Sequence, residues 1–199
     1  MIRPAQTARS ERTRDALRRA AMVRFLAQGV EDTSADQIAA DAGVSLRTFY
    51  RHFTSKHDLL FADYDAGLEW FRAALQARSP EEPILESVQS AIDASPYDPE
   101  AVAQIAALRA KELDPGSILR HTRQVEAEFA DAVAAQLSDS AGHATVDDRL
   151  RVMVTARCIA AAVFGAMEMW MVGDDPSLAE LQRLCRTALE LLRGGVITE

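Results

Sequence analysis

Helix-compatible sequence runs almost without a break from residue 11 to about residue 192, and no alternation of apolar and polar residues is long enough to demand a strand. The interruptions are short clusters rich in Pro, Gly, Ser and Asp: 79–83, 95–99, 114–116, 138–144 and 173–176. Links this short join packed helices. The chain is therefore expected to be all-α, with about nine helices: an N-terminal three-helix domain over 1–58 and a larger helical domain over 59–199.

Charge separates the same two parts. The net charge of −8 would disfavour a nucleic-acid partner if it were uniform. Residues 1–60, however, hold ten Arg and Lys against seven Asp and Glu (+3), and the remainder holds twelve against twenty-three (−11). Only the N-terminal part can attract phosphates, and its basic arm is dense in arginine at Arg3, Arg9, Arg12, Arg14, Arg18, Arg19 and Arg24. The opening residues contain no apolar run of the kind a secretory signal needs, so the cytoplasm is the expected location. The long apolar stretch 152–172 carries Arg157 and Glu168, which a bilayer core would penalise, and reads as a buried helix.

Residues 33–60, TSADQIAADAGVSLRTFYRHFTSKHDLL, constrain function most. A helix-turn-helix needs a small residue where its helices cross, a residue free to take positive φ in the turn, and an apolar anchor beneath the second helix. Ala39, Gly43 and Phe49 fill these roles, with Ile38, Ala42 and Val44 completing a small core. Thr33 and Ser34 read as caps of the second helix and Ser45 as the cap of the third. That leaves Leu46, Arg47, Thr48, Tyr50 and Arg51 for the outer face. Arg47 can donate a bidentate pair to guanine, Thr48 offers a hydroxyl and a methyl, and Tyr50 and His52 suit contacts to the backbone.

Through Phe25, Gly29, Thr33-Ser34, Ile38-Ala39, Ala42-Gly43-Val44-Ser45, Thr48-Phe49-Tyr50, His52-Phe53 and Ser55-Lys56, the first third of the chain resembles the TetR family, the tetracycline-repressor-like regulators. The resemblance implies a ligand-responsive transcriptional regulator that places its third helix in the major groove, holds a phosphate with Lys56 and acts as a homodimer. The expected DNA-contacting set is Thr33, Ser34, Ser45, Leu46, Arg47, Thr48, Tyr50, Arg51, His52 and Lys56. The expected partners are a double-stranded operator with inverted repeats, a small apolar or amphipathic effector and a second copy, with no membrane partner.

The C-terminal sequence is less specific. Val152, Ala156, Ile159, Val163, Ala166 and Trp170 recur at alternating steps of four and three, as do Leu178, Leu181, Cys185, Ala188 and Leu192. Such seams suit either the core of one chain or a four-helix bundle across a dimer axis, and the resemblance favours the dimer. The resemblance also implies an effector site between the fourth helix and the middle helices. Trp70, Phe71, Leu108, Val125 and Phe129 are candidate lining residues, although ordinary core residues look the same. Arg109, Lys111, Arg120, His121 and Arg123 form a basic interval that suits an anionic group on an apolar ligand, or a solvated surface. No cofactor or metal is expected: Cys158 and Cys185 lack metal-ligand spacing, as do His52, His57, His121 and His143. Hydrolase, nucleotide-binding and zinc-protease motifs are absent, which argues against an enzyme.

Overall fold

The computed structural model describes residues 4–79, 81–96, 99–139, 145–175 and 177–195. Arg3, His143 and parts of the turn clusters (Pro80, Tyr97, Asp98, 140–144 and Pro176) lie outside them. The described residues form nine α-helices and one 3-10 helix, with no strand among them. The chain divides into two compact units, residues 1–63 and 64–199.

The first unit holds α1 (Pro4–Gln28), α2 (Ala35–Asp41), α3 (Leu46–His52) and a 3-10 segment (Lys56–Phe61). α1 starts a full two turns before the expected residue 11. Proline is tolerated in a first turn, whose N–H groups have no helical partner, and nothing between Ala5 and Gln28 breaks the helix. It stops at Gly29, which takes φ +87°, a conformation that strains any residue with a Cβ. Leu17, Ala21 and Phe25 line its inner face and are closed over by Ile38, Phe49 and Leu59, all essentially inaccessible. The segment after Ser55 is 3-10 wound through Phe61 before α4 starts. Asp58 explains the tighter start: its carboxylate accepts from the Thr54 and Ser55 amides and from the Ser55 hydroxyl, drawing the first turn inward.

The second unit comprises α4 (Ala62–Gln76), α5 (Ile84–Asp93), α6 (Pro99–Glu112), α7 (Pro115–Asp139), α8 (Val146–Met171) and α9 (Leu178–Gly194). α8 packs lengthwise against both α7 and α9. It opens on a capping box in which the Thr145 hydroxyl accepts from the Asp148 amide while the Asp148 carboxylate accepts from Thr145. Those bonds hold the Asp148 carboxyl below its usual pKa, the hydroxyl of Thr145 contributing most. An aromatic column occupies the core: Phe71 and Phe129 stack with ring centroids 3.9 Å apart, and Phe164 meets Phe129 edge-on at 5.8 Å.

Two expectations for this unit change. Phe71, Val125 and Phe129 are buried in the core, and none of them lines the cavity described below. The seam Val152, Ala156, Ile159, Val163, Ala166 and Trp170 also faces inward: Ala156 and Ile159 are each 1% exposed, and only Val152 is half-buried. On α9, Cys185 is 1% exposed, with Leu181, Ala188 and Leu192 half-buried. The strongest apolar periodicity thus closes the core of one chain. α7 supplies the complementary surface through Val133 and Ala130, and periodicity alone cannot tell an inner seam from an outer one.

The apolar stretch expected to be a buried helix is buried on one face only. α8 is by length and composition apolar enough to cross a membrane, yet only about a third of its apolar stretch is buried within the chain. Its opposite face exposes Leu150, Val154, Met169 and Val172, the last at 78%. Arg157 and Glu168 are exposed as well.

The cysteines differ in the same way. Burial, helped by the negative Asp93, pushes the Cys185 thiol up to about 12, whereas Cys158 is exposed. Since the thiolate is the reactive form, one thiol per chain is expected to resist a disulfide reagent at pH 8 until denaturant is added. Rapid modification of both thiols in the folded protein would contradict this packing.

Candidate DNA-binding site

α2 and α3 are each only seven residues long, too short to persist alone, so caps and core contacts hold them. Ser34 caps α2 by accepting from the Gln37 amide while the Gln37 side chain returns to the Ser34 amide. Ser45 caps α3, accepting from the Thr48 amide at 3.2 Å. Between the helices Gly43 takes φ +68° and lets the chain reverse, and the Val44 amide donates to the Ala39 carbonyl at 2.9 Å. Phe49 is fully buried beneath α3, with Tyr50 edge-on at 5.3 Å and Phe53 at 5.9 Å. Anchoring that side of the helix turns the other outward.

The outward side carries Leu46, Arg47, Tyr50 and Arg51, all exposed, Tyr50 at 57%. Ser34 and Ser45 are exposed, while Thr48 and His52 are half-buried. The Thr48 hydroxyl lies 3.0 Å from that of Ser45, so cap and helix face share a polar edge. Arg14 reaches from α1 over the Phe53 ring at 5.6 Å, placing a second cation, with Arg51, near His52. Burial, with Arg51 and Arg14 nearby, holds the His52 imidazole below its ordinary pKa, which favours its neutral form. Across α1 and α2, Arg24 forms a two-bond pair with Asp41 at 2.6 and 3.0 Å, a contact that the sequence reading did not anticipate.

Two members of the expected DNA-contacting set are placed differently. Thr33 is 1% exposed and its hydroxyl donates to the Gly29 carbonyl at 2.7 Å, so it closes the turn after α1 and presents nothing to a partner. The Lys56 ammonium donates to the Val30 and Glu31 carbonyls at 2.7 and 3.0 Å. It therefore ties the α1–α2 turn to the 3-10 segment, where the expectation was a phosphate contact. Lys56→Ala is expected to destabilise the first unit by about 1.5–3 kcal/mol, the range for hydrogen bonds to a charged group. The slope of log K against log salt for DNA binding should stay unchanged. A slope lowered by about 0.9, with melting unaltered, would return Lys56 to a phosphate.

In the second unit, a cavity of about 610 Å³ opens among α4, α6, α7 and the end of α8. Its wall includes Tyr64, Arg109, Ile118, Leu119, Trp170 and Met171. None of the five residues expected to line a ligand site takes part; Trp70 and Leu108 are half-buried elsewhere. Of the basic interval, only Arg109 enters. Lys111 projects outward beside Glu112, Arg120 bonds the Ser117 hydroxyl at an exposed position, and Arg123 lines a separate groove between α7 and α8. His121 pairs with Asp65 at 3.7 Å. Small residues of α6 (Ala106, Ala107 and Ala110) form part of the cavity wall, and no periodicity argument singles them out in the sequence.

A helix-turn-helix with an exposed basic second helix, followed by a helical unit containing a cavity, defines a DNA-binding regulator. Similarity to known proteins specifies which kind. Residues 17–62 match the bacterial regulatory proteins of the tetR family. The HTH-type transcriptional regulator TcmR of Streptomyces glaucescens is 31% identical over 193 residues, covering 92% of this chain and 83% of that protein. Solved structures that share the fold include two regulators named FadR. The Thermus thermophilus repressor FadR, in complex with lauroyl-CoA, superposes with TM-score 0.53 at 21% identity over 94% of this chain and 96% of its own. The fatty acid degradation regulator FadR of Bacillus halodurans does so with TM-score 0.55 at 17% identity over 94% and 97%. The chain belongs to the TetR family and is a DNA-binding transcriptional regulator, not an enzyme.

Proposed function

We propose that the protein is a cytoplasmic homodimeric repressor that reads an inverted repeat with α3 and leaves it when a small apolar or amphipathic effector occupies the cavity beside Arg109. The observation that carries the DNA half is the outward face of α3, with Arg47, Tyr50 and Arg51 exposed above a buried Phe49. Arg47, in the first turn, is assigned to a guanine edge, and Leu46 and Thr48 to neighbouring bases or methyl groups. Ser34, Ser45, Tyr50, Arg51 and His52 are assigned to the phosphates that fix register. The cavity supports the effector half, since its volume falls within the range typical of small-molecule sites. The Thermus relative of like fold was solved with lauroyl-CoA, an amphipathic anion, which supports an effector of similar character. A filled interior would have favoured a ligand-independent DNA binder instead.

The second copy is assigned to the outer face of α8. Leu150, Val154, Ala161, Gly165 and Val172 follow one another at helical spacing on the side opposite Ile159 and Val163, and Leu191 of α9 is 60% exposed. Arg47→Ala tests the base-reading claim. It should cost about 1–3 kcal/mol on the specific site and little on unrelated duplexes, measured by fluorescence anisotropy. Equal losses on both duplexes would remove Arg47 from the reading set.

A further inference from the structure

We propose that DNA binding is coupled to protonation of His52: a backbone phosphate seated at the C-terminal end of α3 draws one proton onto the imidazole, so the protein holds its operator more tightly as pH falls. This deepens the assignment of Arg51 and His52 to phosphates and rests on it.

The last turn of α3 brings Arg51 and His52 together, with Nη2 of Arg51 3.5 Å from Nε2 of His52. A guanidinium has N–H donors and no acceptor, so in this contact the imidazole nitrogen accepts and carries no proton. A proton added there would set two donors against each other. The surroundings act in the same direction: partial burial comes first, then the charges of Arg51 and of Arg14, which reaches over from α1. Acids of the neighbouring elements are directed elsewhere. Asp15 of α1 pairs with Arg18 at 3.2 Å, Asp41 of α2 pairs with Arg24 at 2.6 Å, and Asp58 of the 3-10 segment accepts from the Thr54 and Ser55 amides. Glu31, in the turn after α1, lies 3.4 Å from His57. Without DNA, the imidazole is therefore held toward its neutral form among cations.

A phosphodiester reverses that balance. Arg51 is exposed and can turn its donors to a phosphate oxygen, which releases Nε2 of His52 from the contact. The freed nitrogen then lies beside an anion. An opposite charge within about 4–6 Å favours the imidazolium, which adds a second donor to the same phosphate. The proton comes from solvent, and no bond of the nucleic acid changes. The imidazole pKa is thus higher in the complex than in the free chain. Binding takes up a proton between those two values: affinity rises as pH falls through the bound value and levels off below the free one. A shift of about one unit, the low end for a neighbouring charge and suited to a half-buried ring, corresponds to about tenfold in affinity for each bound subunit.

The full wild-type chain and an operator obtained by in vitro selection test this, at constant ionic strength because salt alone changes phosphate affinity. Fluorescence anisotropy between about pH 8.5 and pH 6 should show affinity rising about tenfold per bound subunit. NMR titration of the His52 ring in the wild type should give a midpoint about one unit higher in the complex than in the free chain. His52→Gln, checked for native melting, keeps a side-chain donor but takes up no proton. Its affinity should stay within about threefold of the high-pH wild type and lose the pH dependence. His57→Gln should retain the pH dependence, which separates the effect from the His57–Glu31 pair. A His52 ring midpoint unmoved by DNA, or full pH dependence in His52→Gln, would overturn the coupling. Wild-type binding that is independent of pH, yet weakened equally at every pH by His52→Gln, would overturn the coupling and leave the phosphate contact standing. A His52→Gln variant indistinguishable from wild type at every pH would overturn both.

Discussion

Ile159→Arg is expected to destabilise the second unit by about 3–5 kcal/mol, because it places an unpaired charge where a side chain 1% exposed now packs in the core. Val154→Glu, five residues earlier on the same helix, is expected to behave differently. Val154 is 50% exposed, so the new carboxylate stays in water in the single chain and helical content should be kept. On the proposed interface, however, two copies would bring two carboxylates into an apolar contact, and the dimer should come apart. Circular dichroism in urea and light scattering on both variants separate the cases: loss of fold for Ile159→Arg, a folded monomer for Val154→Glu. A folded, monomeric Ile159→Arg would place the inner seam at the dimer contact after all. A Val154→Glu dimer of wild-type affinity would move the interface off this face.

The second large effect lies under the recognition helix. Phe49 is fully buried, and truncating a buried Phe to Ala costs about 3–5 kcal/mol through lost burial and the cavity left behind. The first unit has a core of a few large side chains, so this is a substantial fraction of its stability. Phe49→Ala should therefore release α3 and abolish specific and nonspecific DNA binding together, although no DNA-facing group is altered. Amide exchange across α2 and α3, measured beside a gel shift, would show lost protection in both helices. Native protection and normal binding in Phe49→Ala would refute the anchor role.

The parts of the fold that the sequence made legible are those set by local rules. Gly43 in the turn, Ser34 and Ser45 as caps and Phe49 as anchor each follow from the chemistry of a short segment, and their spacing carried the family resemblance. The helical breaks are local for the same reason: Pro and Gly stop a helix wherever they fall. What was missed depends on contacts distant in sequence. Thr33 and Lys56 are polar residues of the kind that faces DNA, but each is satisfied by a backbone carbonyl at the end of α1, and no pattern records such a bond. The α8 seam was read correctly as apolar and periodic, whereas its direction depends on where α7 and α9 lie. The cavity eluded the sequence because large aromatic residues attract attention. Phe71 and Phe129 stack and fill space, while alanines on α6 leave it open.

The central claim is that α3 reads DNA in two copies related by a twofold axis. In vitro selection of the full wild-type chain against random duplexes, followed by sequencing, tests it most directly. The account predicts enrichment of an inverted repeat with half-site centres one helical turn apart, about 34–36 Å, or a multiple of that spacing. Enrichment of a lone half-site bound by a monomer, or no enrichment over the starting pool, would contradict it.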